Sequence, residues 1–177
     1  MLHDLIAALA AIAVSAGSLP AQHHHDGTPP VANALNSERL SRVRLGTGVE
    51  LEVLERGRAD GEPVLFLHGF TDSRFSYERV LAHLPPGIRA IVPSQRGHGD
   101  SERPACCYTV TDFASDAMAL LDALGVRRAT VVGHSMGSFV AQRIAIDFPE
   151  RVSRLVLVGS GQTARIPAVV EFNAVVQ

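Results

Sequence analysis

Apolar and polar positions along the chain switch between two periods, and each switch marks an element. Residues 42–45 and 49–55 alternate about Gly46-Thr47-Gly48, which predicts a β-hairpin. After a polar turn over 57–63, Val64-Leu65-Phe66-Leu67 is a continuous apolar run, as in a strand buried on both faces of a parallel sheet. The run stops at His68-Gly69-Phe70. A helical pattern follows over 75–84 and ends at Pro85-Pro86-Gly87, and 89–92 predicts the next strand. Thr109 and Asp112 have the spacing of a capping box. The helix behind them carries Phe113, Ala117, Leu120, Leu121 and Leu124 on one stripe, and Gly125 closes it. A β-branched run over 129–132 leads through Gly133-His134-Ser135-Met136-Gly137 into a helical pattern over 139–148. Pro149 stops that pattern, 152–158 reads as another strand buried on both faces, and 166–177 is weakly helical.

Strands alternating with helices through short connections predict an α/β fold with a mostly parallel sheet. Ligands of such sheets bind at the carboxyl ends of the strands. Phe70, His98 and Ser135 each follow a predicted strand end, so they are expected on one edge.

Composition narrows the classes. The 177 residues suffice for one domain with a core. A net charge of -2 with no basic stripe excludes a nucleic-acid footprint. No Cys/His cluster has metal-ligand spacing, and no metal or cofactor is expected. The two cysteines are adjacent, Cys106-Cys107; neighbours rarely make a good disulfide, which excludes a disulfide-framework scaffold. Residues 5–14 have the length of a signal-peptide apolar region and are too short for a stable membrane span, but Met1-Leu2-His3-Asp4 lacks the usual basic start. An exported and a cytoplasmic protein both stay open. His23-His24-His25 and the Pro29-Pro30 stretch read as a linker. The expected organisation is therefore a possible signal peptide and linker over 1–39, a core over 40–165, and the start of a cap or lid over 166–177.

A strand, a Gly-flanked serine and a helix, in that order, form the setting of a nucleophile elbow. Gly133 and Gly137 stand where a Cβ would meet backbone, and Ser135 would be lifted above the sheet edge beside helix N–H groups. A chance Gly/Ser turn is the plain alternative, and the strand before and helix after weigh against it.

Three ordered motifs, His68-Gly69-Phe70, Arg96-Gly97-His98-Gly99-Asp100-Ser101 with Pro104, and Gly133-His134-Ser135-Met136-Gly137, resemble the α/β-hydrolase fold family in its esterase and haloperoxidase-like branch. The resemblance implies Ser135 as nucleophile, with the backbone N–H groups of Phe70 and Met136 as an oxyanion hole. One such donor is worth about 3–4 kcal/mol of barrier. Family members resembling haloalkane dehalogenases or epoxide hydrolases place an aspartate at the elbow; a serine here favours an acyl-enzyme route. His68 is expected to brace the oxyanion loop and His98 to stabilise a turn, with Gly69, Gly133 and Gly137 supporting the site. His134 points away from the hydroxyl, and His83 lies on the surface.

The chain also departs from the family. A serine needs a base and the base an acid, in chain order Ser, acid, His. After Ser135 come Asp147, Glu150 and Glu171, and no histidine. The triad is thus incomplete, and the apolar strand 152–158 has no later strand to pair with. Both features are expected of the N-terminal portion of a longer hydrolase, alone inactive and poorly soluble. Ser94 stands where the family usually has an acid, and Ser138 where a third glycine is frequent. The expected function is a serine hydrolase of a small carboxylic ester or similar acyl substrate. A perhydrolase or haloperoxidase-like enzyme, a C–C bond hydrolase, and an inactive remnant or ligand-binding module are the alternatives. Oligomeric state stays open.

Overall fold

A computed structural model of the chain describes residues 37–161. Its six strands are β1 (Glu38–Arg44), β2 (Glu50–Arg56), β3 (Glu62–Leu67), β4 (Ile88–Pro93), β5 (Ala129–His134) and β6 (Val152–Val158). They form one sheet in the order β1-β2-β4-β3-β5-β6. The first two pairings are antiparallel, and β4-β3, β3-β5 and β5-β6 are parallel. The sheet is thus the mostly parallel one that the alternation predicts. The helices are α1 (Glu78–Leu81), α2 (Val110–Ala123) and α3 (Met136–Asp147), with 3-10 turns at Arg74–Tyr77 and Pro149–Arg151.

Strand alternation divides the core between the two faces of the sheet. Leu65 and Leu67 of β3, Ile91 of β4 and Val131 of β5 pack with Phe113, Leu120 and Leu121 of α2 and Val140 and Ile144 of α3. Val64, Phe66, Val92 and Val132 point the other way, onto Tyr77, Val80 and Leu81. Every apolar position of 64–67 is buried, as a doubly covered strand requires.

The hairpin pairs Arg44 with Glu50 on one face and Arg39 with the buried Glu55 on the other, so opposite charges meet across it on both faces. β1 begins at Glu38, within the stretch expected to be linker. The possible signal peptide, the histidine run and the segment 166–177 lie outside the described residues. Among the described residues no helix is long and apolar enough to cross a membrane.

Four local expectations are revised. The pattern over 75–84 yields only a 3-10 turn and a single α-turn, because Pro85-Pro86 cut the helix short and the preceding Ser73 makes no side-chain cap. α3 begins at Met136, directly after the serine and three residues earlier than expected, because the elbow itself supplies the helix start. β6 is apolar on both faces yet keeps Leu155 and Leu157 each 39% exposed, since among the described residues it pairs only with β5 and few side chains cover it. Cys106 and Cys107 are disulfide-bonded to each other, against the expectation for neighbours; Cys107 takes a left-handed backbone, φ 72°, that turns the chain between them.

The capping box is present: Thr109 Oγ1 accepts from the Asp112 N–H, and the Asp112 carboxylate accepts from the Thr109 N–H. Gly125 follows the helix with φ 66°. Thr109→Ala is expected to cost about 1 kcal/mol of stability, read as a lower urea midpoint with an unchanged slope.

Candidate active site

Ser135 is exposed at the carboxyl end of β5, one residue before α3. Its backbone sits at φ 51° and ψ -116°, outside the broad regions open to ordinary residues. The sharp bend is possible because three backbones meet without side chains. A Cβ on Gly133 would lie 2.2 Å from the Gly137 carbonyl oxygen, and one on Gly137 would lie 2.0 Å from the Leu67 carbonyl oxygen. The Ser135 N–H donates to the Val158 carbonyl and the Ser135 carbonyl accepts from the N–H and hydroxyl of Ser138, so the main chain is held on both sides. The Ser135 side chain makes no capping bond to its own helix. Its hydroxyl therefore stands beside the positive end of a 12-residue helix, where the first N–H groups lack intrahelical partners and favour a developing anion.

The loop after β3 approaches from the neighbouring strand. A Cβ on Gly69 would lie 3.4 Å from Ser135 Cβ and 3.3 Å from His134 Nδ1, so Phe70 follows within the immediate surroundings of the serine. The His134 ring lies between Gly69 and Gly159. His68 is fully buried, with Nδ1 donating to the Gly69 carbonyl at 2.7 Å and Nε2 accepting from the Gln95 N–H at 2.9 Å. Burial, the largest influence, pushes its pKa down to about 4. The neutral ring, with its proton on Nδ1, matches both bonds. Gln95 returns the contact by donating its side-chain amide to the His68 carbonyl.

His98 ties the second loop to the first: Nδ1 contacts the Arg96 carbonyl at 2.8 Å and Nε2 contacts the Phe70 carbonyl. His68, Gly69, Phe70, His98, Gly133, Ser135, Met136 and Gly137 thus gather at one sheet edge. Asp147 does not. It closes α3, which at about 1.5 Å per residue puts it roughly 18 Å from the serine, and it pairs with Arg143. Glu150 lies beyond it in the chain. His83 is exposed past α1, away from the site.

Three carboxylates are buried among the described residues; Glu55 pairs with Arg39 and Arg89, and the other two hold the loops of the site and escape a reading by pattern. Glu52 alternates with Leu51 and Val53 as an outward position would, yet it is 4% exposed. It accepts from Ser94 Oγ at 2.8 Å and lies 3.1 Å from Arg74 Nε. Burial opposes its ionisation, but the Ser94 hydroxyl and Arg74 override this and hold its pKa below the usual range. The acid missing at position 94 is thus replaced in space by one on β2. Asp116 on α2 grips Arg96 through two bonds of 2.6 Å. Burial works against the charge on Arg96, and Asp116 more than offsets it. Among the described residues no group of His, Cys, Asp or Glu could hold a metal ion.

Residues 62–174 match the family model of the alpha/beta hydrolase fold. The chain is 35% identical over 129 residues to a 2-hydroxymuconate semialdehyde hydrolase of Pseudomonas sp. (strain CF600), covering 71% of this chain and 45% of that protein. It is 35% identical over 123 residues to a non-heme chloroperoxidase of Streptomyces lividans, covering 68% and 45%. The crystal structure of an epoxide hydrolase from Vigna radiata superposes with a TM-score of 0.67 at 32% identity, over 77% of this chain and 43% of that one. The chain spans less than half the length of each of these.

Two outcomes follow. Gly137→Ala is expected to cost about 3 kcal/mol or more, because the 2.0 Å approach is to a backbone oxygen that cannot yield; thermal unfolding of the purified variant measures it. The lowered His68 pKa means the folded chain binds fewer protons than the unfolded chain between pH 6.5 and about 4. Stability from this group is complete above pH 6.5 and falls with pH through that window, by up to about 3 kcal/mol. His68→Gln is expected to lower stability at pH 7 and to flatten the fall between pH 6.5 and about 4, read from urea midpoints.

Proposed function

Because the chain belongs to the α/β-hydrolase fold family, whose members similar to it include a C–C hydrolase, a haloperoxidase and epoxide hydrolases, we propose that Ser135 makes it a serine hydrolase of acyl substrates. The observation that carries this reading is the serine itself, exposed on a left-handed φ of 51° with its hydroxyl uncommitted to the helix it precedes. A carboxylate at this point would support an alkyl-enzyme route; a hydroxyl supports acyl transfer.

Attack of Ser135 Oγ on a substrate carbonyl forms a C–O bond and moves an electron pair onto the carbonyl oxygen. That oxygen would be stabilised by the N–H of Met136, first in α3, and the N–H of Phe70 on the adjoining loop. Collapse of the adduct expels the alcohol, and water then releases the acid from the serine. The hydroxyl proton must pass to a base. His68 has both ring nitrogens committed to the loops it joins, and His98 has both on carbonyl oxygens, so these two serve as supports. The family's order calls for an acid and then a histidine after Ser135; no histidine follows it in these 177 residues, and Asp147 lies at the far end of α3 paired with Arg143. Activity, on this reading, is a property of a protein that contains them.

A fluorophosphonate probe tests the proposal on the full-length protein. One label per chain is expected at Ser135 by peptide mapping, with at least about a thousandfold loss of labelling rate in Ser135→Ala. A folded full-length protein that leaves Ser135 unlabelled at millimolar probe would overturn it.

A further inference from the structure

The turn that carries the chain from the 94–103 loop into α2 holds both cysteines of these 177 residues, bonded to each other and both exposed. Nothing in the hydrolase reading employs them. We propose that Cys106–Cys107 is a reversible thiol–disulfide site for low-molecular-weight thiols, and that its oxidation state sets how firmly this turn is seated on Arg96.

The first argument concerns what the bond does not do. A disulfide stabilises a fold mainly by closing a loop of the unfolded chain, and the gain grows with loop length. This one joins consecutive residues, so it closes no loop of chain and contributes almost nothing of that kind. It can be made and broken while the sheet and helices stay folded. The second argument is access. Exchange begins with a thiolate reaching a sulfur, and both cysteines are open to solvent.

The third argument is where the turn sits. Cys107 and Ser135 are the non-glycine residues at positive φ among those described, and Cys107 is held at 72°. In that conformation its carbonyl accepts from Arg96 Nη1 at 2.5 Å, while the other nitrogens of Arg96 bind Asp116. The next residue, Tyr108, lays its ring on Gly97, where an added Cβ would come within 2.6 Å of it, and its hydroxyl donates to the Pro104 carbonyl. Residues 104–108 therefore rest on Arg96-Gly97, immediately before His98 and its contact with Phe70.

Reduction consumes two thiols. One thiolate attacks a cysteine sulfur, forms a mixed disulfide and releases the other cysteine as a thiolate that takes a proton. A second thiol attacks the mixed disulfide and frees the remaining cysteine. Two electrons and two protons pass to the protein, and the small thiols leave as their disulfide. With the bond open, Cys107 is free to leave the left-handed region, and its carbonyl withdraws from Arg96.

The test compares the full-length protein with Cys106→Ser/Cys107→Ser, each equilibrated natively with oxidised glutathione or with dithiothreitol. Iodoacetamide and peptide mapping are expected to show Cys106 and Cys107 both alkylated after dithiothreitol and neither alkylated after oxidised glutathione, interconvertible and with unchanged circular dichroism. Amides of 95–108 are expected to exchange about fivefold faster in the reduced protein, with α3 unaffected and the double variant insensitive to either treatment. Alkylation of both cysteines after oxidised glutathione, loss of the fold on reduction, or equal exchange in the two states would each overturn the proposal. Neither readout involves Ser135, so the result is independent of the hydrolase reading.

Discussion

The first turn of α3 meets the carboxyl ends of β3 and β5 at backbone contact, and the site depends on that approach. With Gly137 against the Leu67 carbonyl and Gly133 against Gly137, no side chain holds the helix off the sheet. The helix can then start one residue after the strand ends, which forces Ser135 into its rare backbone angles and turns its side chain outward. Folding energy from the two packed faces of the sheet sustains a conformation that an isolated serine would leave at once.

Around this fixed point the flanking loops are held by buried polar groups whose hydrogen-bonding capacity is largely met inside the protein. His68 joins the loop after β3 to Gln95, His98 joins the loop after β4 back to Phe70, and Glu52 draws Ser94 and Arg74 together from the side of the hairpin. Breaking such a group from its partners leaves a buried polar atom unmet, which costs more than the bond itself contributes. The loops are thereby set by chemistry rather than by apolar contact, and they keep their shape at a water-facing edge where a hydrophobic core cannot reach.

Much of this is legible in the sequence because it is local. The apolar run 64–67, the capping box at Thr109 and the glycines about Ser135 each carry their meaning in a few neighbouring residues, and they placed Phe70, His98 and Ser135 on one edge. What escaped was non-local or set by the ends of elements. Glu52 reads as a solvent position until β4 brings Ser94 beside it, and Asp116 reads as the polar side of a helix until Arg96 arrives from twenty residues earlier. The helix over 75–84 failed because periodicity says nothing of how few turns fit before Pro85. The pairing of Cys106 with Cys107 depends on one backbone angle that no spacing encodes.

The two borders of the sheet differ in kind. On the β1 side, arginines and glutamates pair across the hairpin, and a strand arriving there would have to displace water from a row of charges. On the β6 side, among the described residues, Leu155 and Leu157 are each partly open and the strand pairs only with β5. The two described borders therefore present different surfaces: paired charges with Leu40 at one, and mainly Leu155 and Leu157 at the other. The apolar border is the one that adjoins β5, so the serine stands on the strand next to the less polar side of the sheet.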